Sequence, residues 1–201
     1  MPLPASFLPK AGKQNLMASF NRFLVEELEG GQVYDGFSPT LPAGKTFWWL
    51  FGYPLTGLVF PAISVAEVGL FSRGELALDR VLGHDAAGKP VKGTRNQTLV
   101  EVNCWAKDTP ESAQAEKTVR ELRDQVVYAL TNAGEVDEST GLLVVPPIVL
   151  RNFGAVGEPV VGTITVDRTD NAINEKFIVD AADQNIKRYR LLIRIFWFEL
   201  T

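Results

Sequence analysis

Residues 97–132 constrain the fold of this 201-residue chain most, because they predict one strand followed directly by one amphipathic helix. Apolar and polar side chains alternate over residues 98–105, which is the pattern of a half-buried strand. One face of this strand carries Val100, Val102 and Cys104, and the other carries Glu101 and Asn103.

The helix after this strand is predicted to begin at Thr109-Pro110-Glu111 and to end near Asn132-Ala133-Gly134. A threonine cap, a proline at the first helical position and an acid in the first turn are typical of a helix start. Apolar residues then form one stripe at spacings of three and four: Ala115, Val119, Leu122, Val126 and Leu130. A strand and a helix that each have one apolar face are best satisfied by packing together.

The remaining periodic segments predict another helix and five more strands. The helix spans residues 14–29, and the strands span 62–68, 141–147, 160–166, 177–179 and 187–199. The polar connector 72–97 suits a long hairpin, so strands 62–68 and 98–105 are expected to pair antiparallel. The predicted class is α+β, a single domain over 1–201 with a mostly antiparallel sheet and two amphipathic helices packed on one face. An extended arm at 1–13 and loop elaborations complete it.

Two regions carry more aromatic or apolar surface than the predicted fold requires. Glycine and proline interrupt residues 31–57, so a loop is expected there, yet the segment holds Phe47, Trp48, Trp49, Phe51 and Tyr53. These aromatics form either a local core or a contact with a partner, and we hypothesise that Trp48 or Trp49 is buried in an assembly contact. The last strand is apolar on both faces and includes Trp197, so it lies inside a sheet or under a partner.

The composition argues against several classes of protein. A net charge of -4 and a pI near 5.1 do not indicate a basic groove for nucleic acid. No apolar run approaches the roughly 20 residues of a membrane-spanning helix. The early prolines, Pro2, Pro4 and Pro9, do not fit a signal peptide. The single cysteine, Cys104, has no partner within the chain for a disulfide.

The sequence predicts no catalytic, cofactor or metal site. Glycines 83 and 88 are spaced as in a phosphate-binding loop, but Pro90 stands where that loop needs serine or threonine. With His84 as the only histidine and Cys104 as the only cysteine, a zinc site is nearly excluded. A small hydrolase that uses His84 remains an alternative, although a solvated turn is the simpler interpretation of His84-Asp85.

The pattern of elements resembles the tail terminator, or tail completion, proteins of long-tailed bacteriophages. The resemblance rests on Phe60-Pro-Ala-Ile-Ser-Val-Ala-Glu67, a glycine-rich hairpin, Leu99-Val-Glu-Val-Asn-Cys-Trp-Ala106 and the helix that follows. The first helix and the last strand are also placed as in that family. The resemblance covers residues 14–30, 58–132 and 188–201, whereas 31–57 and 140–187 depart from the family's compact layout.

The resemblance implies a structural protein of the virion, assembled in the host cytoplasm, that forms a ring of usually six copies. Such a ring caps the tail tube, ends its polymerisation and joins the tail to the head connector. The implied partners are other copies of the chain, the tail tube protein and a head-completion protein, with DNA only as cargo. No cofactor, enzymatic turnover or membrane is implied. Segment 140–187, with Val160 and Ile164, would reach neighbouring subunits or the tube.

Other functions are compatible with the same residues. A different ring of the phage neck or baseplate would share a sheet backed by helices. A soluble binding domain could use Trp48 and Trp49 to hold a small ligand.

Overall fold

The computed structural model describes residues 13–28, 30–33, 44–51, 59–69, 80–84, 88–168 and 173–200. Within these residues the helices are α1 (Lys13–Glu27) and α2 (Ala115–Thr131). The strands are β1 (Gly30–Val33), β2 (Phe47–Phe51), β3 (Ala62–Gly69), β4 (Arg80–His84), β5 (Pro90–Lys107), β6 (Val149–Arg151), β7 (Val160–Val166), β8 (Ile173–Val179) and β9 (Ile186–Leu200). The arm predicted at the N-terminus lies outside the described residues, except for Lys13.

The centre of the sheet is a long antiparallel ribbon formed by β5 and β9. Their pairing runs without interruption from Gly93 opposite Leu200 to Lys107 opposite Ile186. At about 3.3 Å per residue, this ribbon is on the order of 50 Å long. Each edge of the ribbon carries two shorter antiparallel strands in succession, β3 and β4 along β5, and β8 and β7 along β9.

The remaining strands extend the sheet outward from these edge strands, in the order β1-β2-β3-β5-β9-β7-β6. β1 and β2 run parallel to each other and β2 runs parallel to β3, while every other strand pair is antiparallel. The predicted α+β class with a mostly antiparallel sheet is therefore confirmed, and so is the antiparallel pairing of the strands at 62–68 and 98–105.

Both helices contribute to one core on the same face of the sheet. The apolar stripe of α2 is buried against β5 and β9, where it meets Val100, Val102, Leu191 and Ile193. α1 adds its own stripe to this core: Leu16, Phe20, Phe23, Leu24 and Leu28. The packing of two amphipathic helices on one face, which the residue spacing predicts, is what the structure contains.

The beginning of α2 differs from the prediction. The helix begins at Ala115, six residues after the expected threonine cap, and Asp108 Oδ1 accepts a hydrogen bond from the Ala115 N–H at 2.8 Å. The predicted start instead forms a tight turn in which Thr109 and Ser112 exchange two backbone hydrogen bonds. The predicted end is correct, since Asn132 is the C-cap residue and Gly134 follows it with φ of 76°.

Three further segments differ from their predicted structure. Residues 141–147 form isolated bridges rather than a strand, because Pro146 and Pro147 have no N–H to continue a ladder, and β6 begins only at Val149. The predicted loop 31–57 contains β2, whose backbone pairs with β3 despite the surrounding glycines and prolines. The predicted connector 72–97 contains β4 and the first part of β5.

Candidate functional site

Three of the predicted interface residues belong to the chain's own core. Phe47 is fully buried, and Ile164 and Trp197 are nearly so. The indole of Trp197 also donates a hydrogen bond from Nε1 to Oγ1 of Thr98, at 3.2 Å. These residues are therefore core residues rather than surface contacts, because neighbouring strands and helices of the same chain already bury them.

The other predicted interface residues lie in or near two strands. Trp48, Trp49 and Phe51 belong to β2, and the backbone register places Trp48 opposite Ala62 of β3. The structure describes the backbone of these three residues and not their side chains, and Tyr53 lies outside the described residues. The hypothesis of a tryptophan in an assembly contact thus stays a prediction.

Val160 is the predicted interface residue whose side chain is described and exposed. It begins β7, and 52% of its surface is accessible. It follows directly after the turn-rich residues 152–159, which lie beside α1. Val160 is thus available to a partner on that side of the chain.

The outer face of the sheet, opposite the helices, contains a buried polar cluster that the strand pattern did not predict. Glu101, Asn103 and Ser64 are all buried, so β5 is covered on both faces instead of being half-buried. Asn103 donates from Nδ2 to Glu101 Oε1 at 2.8 Å, and Trp105 donates from Nε1 to Ser64 Oγ at 2.9 Å. Alternation identified the two faces correctly, but it carries no information on what covers the second face.

Two arginines of β9 adjoin this cluster. Arg188 lies with its guanidinium 4.9 Å from the centre of the Trp105 ring, a cation–π contact. Arg190 is paired across the sheet with Asn103, and Arg190 Nε and Asn103 Oδ1 are both buried without a hydrogen-bond partner among the described residues. Because an unsatisfied buried polar atom costs stability unless water reaches it, this cluster is less favourable than the apolar core.

Most of the exposed large apolar side chains of the described residues lie in the last turns of α2 and in the segment that follows it. Five of the nine exposed large apolar side chains lie there: Tyr128, Val136, Leu142, Leu143 and Val144. Tyr128 and Val144 line an open pocket of about 440 Å³ between the C-terminal ends of α1 and α2, which we call the α1–α2 pocket. Its apolar wall is completed by Leu28, Ala129 and Val145, and Glu27 and Gln125 stand at its rim.

The acid at this rim has no partner among the described residues. Glu27 is partly buried, and this burial, together with the neighbouring charge of Glu26, raises the pKa of its carboxyl group. By contrast, Glu26 is paired with Arg22 at 2.7 Å. The α1–α2 pocket therefore combines apolar walls with one unpaired hydrogen-bond acceptor.

The loop that connects β6 and β7 presents an apolar side chain at its tip. This loop, residues 152–159, is closed at its base by a hydrogen bond from Asn152 N to Pro159 O at 3.0 Å. Its turn requires Gly157 at φ of 79° and Glu158 at φ of 46°, the left-handed region that residues other than glycine rarely adopt. Val156, next to this turn, is fully exposed, with a relative accessibility of 105%.

The 152–159 loop is fixed to α1 at two positions along the helix. Phe153 N donates to Asn15 Oδ1 at 3.2 Å, and Arg22 forms an ion pair with Glu158 at 2.5 Å. The hydrogen bond to Glu158, together with the one to Glu26, raises the pKa of the Arg22 guanidinium. The exposed position of Val156 is therefore held by contacts on both sides of the loop.

A second cavity, of about 250 Å³, lies beside the same helix and is lined by charged residues and the Pro146-Pro147 pair. Arg22, Arg151, Glu26 and Glu27 are the charged residues of its lining. Arg151 also donates from Nη1 to the backbone oxygen of Glu158 at 3.3 Å. The guanidinium groups of this cavity are thus engaged in holding the 152–159 loop against α1.

The residues considered for catalysis are not brought together. His84 is the last residue of β4, where its backbone pairs with Pro90, and its side chain is not described. Cys104 is fully buried on the core face, and burial raises the pKa of its thiol far above the ordinary value. Across the described ranges there is no group of three or more histidine, cysteine, aspartate or glutamate residues placed to hold a metal. Nor does the described part of the chain contain a helix long and apolar enough to span a membrane.

Comparison with known proteins adds no relative. No protein-family model matches the chain, and no curated protein matches it in sequence. Functional inference therefore rests on the residues and their arrangement.

Sequence reasoning did not identify the α1–α2 pocket or the 152–159 loop as surfaces. Leu142, Leu143 and Val144 carry a pattern typical of a strand, and the strand interpretation assigned them to the sheet. The run of four apolar residues, 142–145, between Gly141 and Pro146-Pro147 was the available signal, since the prolines argue against placing such a run in the middle of a sheet.

Proposed function

We propose that this chain is a structural protein of a long-tailed bacteriophage whose copies form a ring at the end of the tail tube. The ring would end tube polymerisation and connect the tail to the head. Its copies, usually six, would contact one another, the tube protein and a head-completion protein, and DNA would pass through as cargo. The protein would act in the virion after assembly in the host cytoplasm.

The observation that carries this proposal is the arrangement of the elements on which the resemblance rests. β3, β5 and β9 lie side by side, and α2 packs across β5 and β9. α1, which the resemblance also includes, contributes to the same core. The segments that depart from the family layout form additions at the edges, since β2 lies outside β3, and β7 and β8 lie outside β9.

The exposed apolar surface supports an assembling protein. Tyr128, Leu142 and Leu143 are each more than half exposed, and Tyr128 lines an open pocket together with Val144, the residue that follows Leu143. Clustered apolar side chains of this size on a surface are typical of sites that contact another protein. Subunits of a ring need such surfaces on every copy.

The chemistry of the described side chains favours a role without turnover. The charged face of α2 forms ion pairs within itself and with β8, as in Glu116 with Arg120 and Arg123 with Glu175. The one thiol is buried and its raised pKa disfavours the reactive thiolate. These groups are engaged in stabilising the fold.

Purified tail tubes provide the direct test. Tubes are incubated with the chain, tube subunits are then added, and tube length and tube ends are measured by electron microscopy. We expect a ring at one end of each tube and no further growth from that end. The mass that capping adds to each tube, measured by light scattering, should be a multiple of the 22.1 kDa subunit mass.

A variant with a disrupted core serves as the control, since Leu191→Asp buries a charge between β9 and α2 and should abolish capping. Tubes that continue to grow from both ends in the presence of the folded chain would contradict the proposal. Binding only to the opposite, baseplate end would favour a baseplate ring instead.

A further inference from the structure

We propose that Lys176, Arg188 and Arg190 form a binding site for a phosphate group on the outer face of the sheet. The three side chains share this face because Phe177 and Leu191, the next residues along β8 and β9, contribute to the core on the opposite face. The proposed ring does not require such a site, so the inference goes beyond that function.

The strand register brings the three cations together. Lys176 is directly opposite Arg190 in the pairing of β8 with β9, which places their Cα atoms about 4.5–5.5 Å apart. Arg188 lies two residues before Arg190 on the same face of β9, at roughly 7 Å. Three positive side chains therefore converge on an area that the oxygens of one phosphate group can contact at once.

These three cations have no carboxylate partner among the described residues. The other lysines and arginines of α2, β8 and β9 all form ion pairs, and they are Lys117, Arg120, Arg123, Lys187 and Arg194. Like charges directly opposite each other lower the stability of a sheet, so the pair of Lys176 and Arg190 is unfavourable by itself. A bound anion would remove this repulsion.

The two arginines are positioned by the fold. The guanidinium of Arg188 lies 4.9 Å from the centre of the Trp105 ring, which orients its plane, and no described residue accepts its N–H groups. Arg190 is partly buried, and its Nε is enclosed without a hydrogen-bond partner. Arginines that are ordered in advance lose less conformational entropy when they bind a phosphate through their N–H groups.

Two acids adjoin the site on the same face, and both are engaged elsewhere. Glu101 is buried and accepts a hydrogen bond from Asn103 Nδ2 at 2.8 Å. Asp180, which follows β8, accepts the backbone N–H groups of Ala182 and Asp183 in its own turn. Neither carboxylate pairs with the three cations, so the site keeps an excess of positive charge.

The overall charge of the chain restricts the kind of ligand. With a net charge of -4, the remaining surface repels a long polyanion such as DNA, whereas a single phosphate group contacts only the three cations. We therefore expect the source of the phosphate to be a small compound rather than a nucleic-acid backbone.

Titration calorimetry with inorganic phosphate, at an ionic strength kept constant with chloride, tests the site on the intact chain. Lys176→Gln removes an exposed charge and should weaken phosphate binding about tenfold, the loss expected for one charge-assisted hydrogen bond. Arg188→Gln in the same chain should abolish measurable binding. Lys117→Gln, at an exposed lysine of α2 outside the site, is the matched control and should keep the native affinity.

The stability of Lys176→Gln provides a second measurement. Without phosphate and at low salt, this variant should unfold at a higher urea concentration than the native chain, because the repulsion of Arg190 is removed. Phosphate should then stabilise the native chain and not the variant. A lysine with a purely structural role would instead lower the stability when it is replaced.

Absence of phosphate binding to the native chain would overturn the proposal, and so would equal affinities of Lys176→Gln and Lys117→Gln. A fluorescently labelled short DNA duplex, followed by anisotropy, tests the other source of phosphate. Duplex binding that Lys176→Gln abolishes, without binding of inorganic phosphate, would overturn the small ligand and assign the cations to a nucleic-acid backbone. Tube capping by Lys176→Gln should be unchanged, so either proposal can fail without the other.

Discussion

The two faces of the central strand β5 are both buried near residues 100–105, yet they are stabilised differently. On the core face, Val100 and Leu191 pack against the helices without polar partners. On the outer face, Ser64 and Asn103 are buried by residues that form directional hydrogen bonds. Apolar packing tolerates small shifts, whereas a buried polar cluster is favourable only in one arrangement. The core face therefore supplies most of the stability, and the outer face restricts how β3, β5 and β9 align.

A substitution on the core face should lower the free energy of unfolding the most. Ile193→Ala removes a fully buried side chain of β9 and leaves a cavity, so unfolding should require about 2–5 kcal/mol less free energy. Urea denaturation followed by tryptophan fluorescence measures this change. Lys176→Ala, an exposed position of β8, is the matched control, and a loss of similar size there would contradict the comparison.

Substitutions on the outer face should lower the stability less than those on the core face, and the effects of two substitutions there should not be additive. Ser64→Ala removes the acceptor of the Trp105 indole and leaves that buried N–H unsatisfied, which costs about 1–3 kcal/mol. Trp105→Phe in the same chain removes the donor as well, so the double variant should lose less stability than the sum of the two single variants. Denaturant unfolding of all four proteins tests this, and strict additivity would show that the hydrogen bond is not significant.

The smallest effect should come from the partly exposed ion pair that joins α2 to β8. Glu175→Gln removes the partner of Arg123, at 2.9 Å, and should lower the stability by only about 0.5 kcal/mol. The change should become undetectable at high salt because the pair is partly accessible to solvent. A loss of stability as large as that of Ile193→Ala would contradict the expectation that this ion pair contributes less than the core face does.

The features predictable from the sequence were those with a local cause. The apolar stripe of α2 and the alternation of β5 follow from the periods of the two structures, so both elements and their facing surfaces were correct. The predicted start of α2 was wrong because residues 109–112 form a turn of their own and the helix begins only after Gln114, where the carboxylate of Asp108 accepts the N–H of Ala115. Thr109-Pro110-Glu111 suits a turn with proline at its second position as well as a helix start, so the local sequence does not separate the two.

The features that could not be predicted depend on distant parts of the chain. The burial of Glu101 and Asn103 results from what covers the outer face, and alternation cannot show this. The α1–α2 pocket combines α1 with residues more than a hundred positions later, such as Val144. Aromatic content suggested residues 47–53 as an interface, yet Phe47 is core, because a hydrophobic side chain is required equally by both environments.

The long register of β5 against β9 has a consequence for how the protein forms. The paired residues are roughly 80 to 110 positions apart in sequence, so the centre of the sheet closes a large loop and folding should be slow. During synthesis, β5 would emerge from the ribosome long before β9, with β3 already available for one of its edges. Until the last strand arrives, the other edge would expose unpaired backbone groups beside Val100 and Val102. A nascent chain halted between α2 and β9 should therefore depend on chaperones far more than the completed subunit does.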